Sequence, residues 1–411
     1  MKILIIYRHF WPDSPPYASM LRTISTHLAT QGHDITIWCE QPCYKSSDMS
    51  RDCPSHQDLE GVAVHRISRF PLASKIKLIA MLGKILFPLR ILIKAMFAKL
   101  SGQKYDLVWT ATIPPVVQGF VGRKTSKLFN AKFLYHCQDL YPEIANQMGL
   151  LKETGLFYRL IKAVEKRNRR EADCLVTLSE DMAQTVLELQ KPSGSLEIVN
   201  NFNLDDFDTA TENTAEHTAA DDHNEQPIRI IFAGNLGLFQ GLDKIVDAAR
   251  IIESQCPTIQ ILFLGEGKAL NQLKRSANGL TNIKFQPHLP FAEAKHIIAK
   301  SDYGIVSIEP DIYRFAYPSK LLTYFGLGLP VLAIVEQESE LAQMIMARSL
   351  GYVSKGRTAA EISDMLLLVA KDRNKINIMK SSVANTHQMM LKPDRRLQQW
   401  AKIIDGLENM Q

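Results

Sequence analysis

Three short stretches carry the residue types and spacing that phosphate chemistry uses. The first is Tyr317-Pro318-Ser319-Lys320, which opens a helical run through Thr323 to about Leu327. Gly328 caps that run, Pro330 stops it, and Val331 to Val335 begins a buried strand. Lys320 sits in the first turn, where the helix already presents unpaired N–H groups and a positive dipole end. A cation there opposes helix stability, and an anion bound at that end would offset it. An ordinary solvated lysine is the alternative. The other two stretches are Gly234-Asn235-Leu236-Gly237 and Gly265-Glu266-Gly267, each directly after an apolar run. Glycine lets a backbone approach a diphosphate closely, although turns need glycine anyway. A separate group, His136, Gln138, Asp139 and Glu143, has the side chains for proton transfer. Asp139 also serves as a candidate cap for the helix that follows it.

The elements that must position these groups are strands of doubly wound sheets. Apolar runs at 2–7, 34–39, 61–67, 106–111, 131–136, 174–179 and 197–202 read as strands of a first half. Runs at 228–233, 260–264, 283–286, 303–307 and 331–335 restart the alternation in a second half. The two glycine stretches and the group from His136 to Glu143 each lie at the end of a strand, where doubly wound sheets bind ligands. The loop after the first strand lacks G-x-G-x-x-G, which argues against a dinucleotide there. At 411 residues two domains are the default. The expected division is 1–204, an acidic linker at 205–227, a second domain at 228–385, and a helix at 386–411, carrying Trp400, that returns to the first domain.

The composition is 46% hydrophobic and 22% charged with a net charge of +5, which is that of a globular protein and no nucleic-acid binder. The opening run is too short for a signal peptide, so the six cysteines read as reduced thiols of a cytoplasmic protein. Cys39, Cys43, Cys53 and His56 have loosely zinc-like spacing but no tight Cys-x2-Cys hairpin, so no metal is expected. Residues 75–104 hold seven Lys or Arg and no acid among many aliphatic side chains. That suits a helix lying on an anionic membrane surface, or a core helix pair with solvated lysines. Pro88 is expected to kink or split it. Residues 205–227 hold eight acids and no Lys or Arg, and cannot bury enough apolar area to fold. Asp206 and Asp208 lie within that stretch, after no strand, and read as solvated acids.

The order and spacing of the two glycine stretches with Pro318-Ser319-Lys320 and Gly328-Leu329-Pro330-Val331 are more specific than any one of them. With Gly32-His33-Asp34 and Asp139-Leu140-Tyr141-Pro142-Glu143, they resemble the retaining GT-B glycosyltransferases of family 4 over nearly the whole chain. The likeness is to the bacterial branch that builds O-antigen, capsule and exopolysaccharide repeat units. It implies two Rossmann-like domains facing a cleft, with the nucleotide sugar held mainly by the second. Gly234, Asn235, Gly237, Gly265 and Glu266 would then line the diphosphate site. Pro287, His288 and Leu289 would meet the base, and Pro318, Ser319 and Lys320 the phosphates. The family's usual pair of glutamates is replaced here by Phe315 and Thr323, one meant for donor-sugar hydroxyls and the other for the ribose. Asn235 and Gln240 stand where the family has Arg and Lys, which leaves Lys320 as the surviving cation, as in the Pro-Ser-Lys variant of amino-sugar transferases. Gln138 stands at the usual family histidine, with His136 offset from it.

The combined expectation is a metal-independent transferase on the inner face of the cytoplasmic membrane. It would move an N-acetylated hexose type of sugar from a UDP-linked donor to a polyprenyl-diphosphate-linked saccharide. Departing diphosphate charge would fall on Lys320 and the glycine-loop amides, with His136 or Asp139 at the acceptor hydroxyl. A GT-B-fold nucleotide-sugar 2-epimerase is the alternative, and leaves the basic segment at 75–104 without a purpose.

Overall fold

The apolar runs form two separate sheets. The computed structural model describes residues 1–13, 15–44, 52–68, 77–204, 227–237 and 240–409, with backbone alone for 77–85. The chain divides into a first unit of Met1–Leu204, Arg314–Tyr317 and Pro393–Gln411, and a second of Asp205–Tyr313 and Pro318–Lys392. The acidic stretch 205–226, expected to be a mobile loop, lies outside the described residues, as do 75–76 of the basic segment.

In the first unit the strands are β1 (Lys2–Ile6), β2 (Asp34–Glu40), β3 (His56–Leu59), β4 (Val62–Ile67), β5 (Leu107–Ala111), β6 (Lys132–His136), β7 (Cys174–Thr177) and β8 (Ser195–Ile198). Their order is β3-β4-β2-β1-β5-β6-β7-β8, parallel except for the β3–β4 hairpin. β1 and β5 are buried along almost their whole length because helices cover both faces. β3, His56-Gln57-Asp58-Leu59, has no apolar alternation and was not foreseen; it forms as an edge against β4, where only one side needs a partner.

Helix Pro16–Thr30 begins with proline at its first position and buries Tyr17, Met20, Leu21, Ile24 and Leu28 on the sheet. On the other face, Lys77–Leu100 is one helix with Pro88 inside it, so of the kink or split expected there the split does not occur. Phe87, Ile91, Ala95 and Ala98 are all buried against Leu4, Ile6 and Val108. No helix among the described residues is long and apolar enough to cross a membrane. Helix Pro393–Asn409 completes the first core with Leu397, Trp400, Ile404 and Leu407.

The second unit has β9 (Ile228–Ala233), β10 (Ile259–Leu264), β11 (Ile283–Gln286), β12 (Tyr303–Ser307), β13 (Val331–Ile334) and β14 (Gly351–Val353). All pair in parallel in the order β11-β10-β9-β12-β13-β14. The order reverses between β9 and β12, so the topological switch point lies at their carboxyl ends. β14, three residues at the edge, is too short to announce itself in sequence.

Candidate active site

In the second unit, the glycine stretches follow β9 and β10 and interlock. Leu236 N donates to Glu266 O at 2.8 Å, and Ala269 N to Leu236 O at 3.0 Å. A Cβ on Gly265 would stand 1.9 Å from Gly234 O, and one on Gly267 2.1 Å from Leu236 O. Glycine at 265 and 267 is therefore required by backbone meeting backbone, before any ligand is considered. Gly265 N also donates to Gln286 O, which ties down the loop holding Pro287, His288 and Leu289. Asn235, Glu266, Pro287 and His288 are exposed, and Gly237 and Leu289 are half-buried. These residues crowd the carboxyl ends of three adjacent strands.

Helix Lys320–Gly326 brings Lys320 to the same edge. At seven residues it is short, and Ser319 is exposed and makes no side-chain cap, so the lysine itself is the main positive charge. Its Nζ lies 4.4 Å from the centroid of the Phe232 ring, a cation–π contact at the end of β9. Burial lowers the ammonium pKa to about 8. Among the described residues no carboxylate pairs with it. Tyr324 locks this helix in place: Ala233 N–H donates to its Oη at 2.9 Å, and its ring fills the space left by Gly304. In sequence Phe232 is one more apolar residue of a strand and Tyr324 one more of a helix, with no sign of a role at this site. Pro318 and Thr323 are half-buried, Thr323 one turn on from Lys320.

In the first unit, His136 ends β6 and is 1% exposed. Its Nδ1 is 2.8 Å from Tyr17 Oη and its Nε2 2.9 Å from Gln138 Nε2. Asn201 Nδ2 donates to Gln138 Oε1 at 2.8 Å, which turns the Gln138 amide group towards His136. Assigned from that network, the imidazole is protonated at Nδ1. Burial lowers its pKa to about 3, so it is neutral, with both nitrogens engaged. Trp400 flanks it, ring centroids 4.9 Å apart, and stacks on Trp109 at 4.4 Å.

Asp139 sits differently. Its backbone bridges Ala316, and Leu140 N donates to Phe315 O at 2.8 Å. Asp139 is half-buried, and burial raises its carboxyl pKa to about 6. It does not cap the next helix, Glu143–Gln147, whose N-cap is Pro142. Glu143 is buried in an ion pair with Arg169 at 2.8 Å, and Arg169 also reaches Glu165 and Tyr141 O. That carboxylate serves the core. Phe315 and Tyr317 pack on the apolar cluster of Phe133, Tyr135, Cys137 and Leu140. The position of the missing first glutamate is thus an apolar contact of the first unit.

The cysteines are unpaired, and Cys43 faces His9 and Asp13 instead of Cys39, Cys53 and His56. Ligand atoms of His9, Asp13 and Cys43 lie within 4.8 Å of one another. Each already has a protein partner: His9 Nδ1 meets Asp13 Oδ2 at 2.6 Å, and the Cys43 thiol donates to Glu40 at 3.4 Å. Burial beside Glu40 raises that thiol pKa to about 12, which favours the neutral form over a metal-binding thiolate.

Residues 17–201 match the family described as Glycosyl transferase 4-like domain, and residues 227–372 match Glycosyl transferases group 1. The chain is 24% identical over 225 residues to the probable glycosyltransferase WbjE of Pseudomonas aeruginosa, covering 54% of this chain and 55% of the relative. It thus spans about half the length of that relative. It is 22% identical to the putative colanic acid biosynthesis glycosyl transferase WcaI of Escherichia coli K12, over 84% of this chain and 86% of the relative. In fold it is similar to sucrose-phosphate synthase from Thermosynechococcus elongatus, with TM-score 0.75, 14% identity and 100% of each chain covered. Anabaena HepE in complex with UDP is also similar, with TM-score 0.65, 14% identity, and 99% and 100% covered.

Proposed function

The chain belongs to the GT-B glycosyltransferases of family 4, in the bacterial polysaccharide branch, and from that premise we propose a specific reaction for it. It transfers a sugar, of the N-acetylated hexose type, from a UDP-linked donor to a polyprenyl-diphosphate-linked saccharide with retention of configuration. The observation that carries this reading is the Lys320 ammonium, held against Phe232 beside two interlocked glycine loops at a sheet switch point.

As the bond between the sugar and the diphosphate breaks, charge develops on the phosphate oxygen. Lys320 supplies a fixed positive charge there, and the backbone N–H groups of the two glycine loops add further donors. A preorganised donor of this kind typically lowers a barrier by about 3 kcal/mol. The site needs no metal in this reading, because the cation is built in. Pro287, His288 and Leu289 flank the base. Thr323 gives the ribose a hydroxyl in place of a carboxylate, and the loss of the family's other glutamate suits a donor with an N-acetyl group in place of a hydroxyl.

On the acceptor side, Asp139 is the group we assign to the hydroxyl proton, since its raised pKa brings it near working pH. His136 acts through Gln138 and Tyr17 as a positioning residue, because both of its nitrogens are committed. The basic apolar segment 75–104 holds the enzyme to the cytoplasmic face of the membrane, where a lipid-linked acceptor resides.

The test is calorimetric titration with UDP, GDP and ADP in EDTA, on wild type and Lys320→Ala. UDP binds without metal and the substitution weakens it at least ~10-fold, as expected for a lost charge-assisted contact. Absence of nucleotide binding, or an unchanged affinity in Lys320→Ala, removes the donor site from this helix. Incubation with UDP-N-acetylhexoses and no acceptor then separates transferase from epimerase, since only an epimerase converts the donor.

A further inference from the structure

Three helices form one layer on a face of the first sheet: Val117–Phe129 packs against both Lys77–Leu100 and Leu156–Arg170. The buried side of Leu156–Arg170 is polar, with Glu165, Asn168 and Arg169 beside Tyr158. The outer surface is not that of a solvated layer.

On Lys77–Leu100, the residues Leu89, Ile93, Met96, Phe97 and Leu100 fall on one stripe and are all exposed, Phe97 by 68% and Leu100 by 81%. On Leu156–Arg170 a second apolar group stands out at the first turns: Leu156 is 84% exposed, Phe157 64% and Leu160 61%. Val117 starts the middle helix and is exposed as well. Large apolar side chains grouped this way on a water-soluble surface mark an interaction site.

The charge around them has one sign. Lys77–Leu100 and Val117–Phe129 contain no Asp or Glu. Lys99, Lys124, Arg159, Lys166 and Arg170 are exposed among the apolar residues. The carboxylates of the third helix and its flanks are taken: Glu165 is buried with Arg169, Glu171 is shared by Arg123, Lys127 and Arg167, and Glu153 pairs with Lys162. A protein partner of ordinary surface would meet few acceptors for its own cations here. An anionic lipid surface complements both features at once.

We propose that the outer face of all three helices, and not the basic segment alone, is a docking surface for an anionic bilayer. Its apolar side chains enter the boundary between headgroups and acyl chains, and the basic ones meet lipid phosphates. The proposal rests on the membrane reading above and extends it to a helix outside 75–104.

The test is co-sedimentation of the full chain with vesicles of phosphatidylcholine alone or with phosphatidylglycerol added. Wild type binds the anionic vesicles and not the neutral ones. Phe157→Asp/Leu160→Asp and Phe97→Asp/Leu100→Asp each lower the bound fraction roughly fivefold or more, with unchanged thermal melts. If Phe157→Asp/Leu160→Asp binds like wild type while the other pair is released, the extension fails and the basic segment alone remains. If wild type ignores anionic vesicles, both readings fall. If it sediments as a dimer that Phe157→Asp/Leu160→Asp dissociates, and binds no vesicles, the face joins copies of this chain instead.

Discussion

Lys320 occupies the space that a side chain at position 234 would need: a Cβ on Gly234 would stand 3.0 Å from Lys320 Cε and 3.7 Å from its Nζ. The glycine after β9 and the lysine of Pro-Ser-Lys are thus two halves of one feature. Gly234, with φ of +122°, keeps its Cα face bare, and the lysine stem lies across it with the ammonium over Phe232. A charge placed so deeply is unfavourable for folding and favourable for holding an anion. The first prediction follows from that opposition.

Lys320→Met keeps the stem and removes the charge. It should raise the melting temperature by a few degrees at pH 7, because an ammonium disfavoured by burial is gone. The same substitution should weaken UDP at least ~10-fold. With wild type, affinity should stay level below about pH 8 and fall above it as free Lys320 loses its proton. Scanning calorimetry and nucleotide titrations from acid to alkaline pH read both effects. A variant that loses stability and keeps its affinity contradicts the assignment.

Asp139 should leave its mark on the rate profile. With its carboxyl raised to about 6 by burial, kcat/KM should decline as pH falls through that value, and Asp139→Asn should lose ~100-fold or more together with the acid limb. Stability has the opposite sense. A carboxyl whose folded pKa lies above its unfolded one stabilises the fold fully below about 3.8 and loses that contribution as pH rises through about 6. Asp139→Asn should therefore melt above wild type near pH 7.5, with the gap closing below pH ~4. An unaltered limb in the variant assigns the proton elsewhere.

Gly265→Ala meets two obstacles, a φ of +144° and the Gly234 carbonyl 1.9 Å from the new methyl. The expected cost is roughly 3 kcal/mol or more, with loss of nucleotide binding as the two loops separate. Gly279→Ala is the control: its φ is +84°, but nothing lies within 4 Å, so the cost should stay near ~1 kcal/mol. Equal costs in denaturant titrations would deny the interlock.

Trp400→Ala removes a ring stacked on Trp109 and set against His136. Truncating a buried tryptophan costs ~3–5 kcal/mol. Because Trp400 belongs to the first unit and Lys320 to the second, nucleotide affinity should survive while an early melting transition appears. A variant that loses nucleotide binding in step with its first transition would couple the two.

Buried parallel strands read as unbroken apolar runs, so the strands of both sheets were legible wherever both faces are covered. β3 and β14 were not, because an edge needs so little burial that polar or very short segments suffice. The helix Lys77–Leu100 shows the converse. Proline is a local signal for a kink or a break, and the helix runs unsplit through Pro88 with Phe87, Ile91 and Ala95 buried on the sheet.

For the candidate site, the chain by itself determined which residues end strands: glycines after β9 and β10, Lys320 before β13, and His136 and Asp139 around the end of β6. The resemblance to the family also singled out Lys320 as the expected cation, with Asn235 and Gln240 in place of the usual basic residues. What each group touches was decided only by tertiary structure, because those contacts join residues far apart in the chain. His136 meets Tyr17 across 119 positions, which turns an apparent base into a held, neutral ring. Glu143 finds Arg169 26 positions on, and Phe315 packs in the first unit with the short segment Arg314–Tyr317, which the second unit flanks in sequence on both sides. A side chain's type fixes what chemistry it can do; its pKa and its freedom to do it depend on burial and partners, which exist only once the chain has folded.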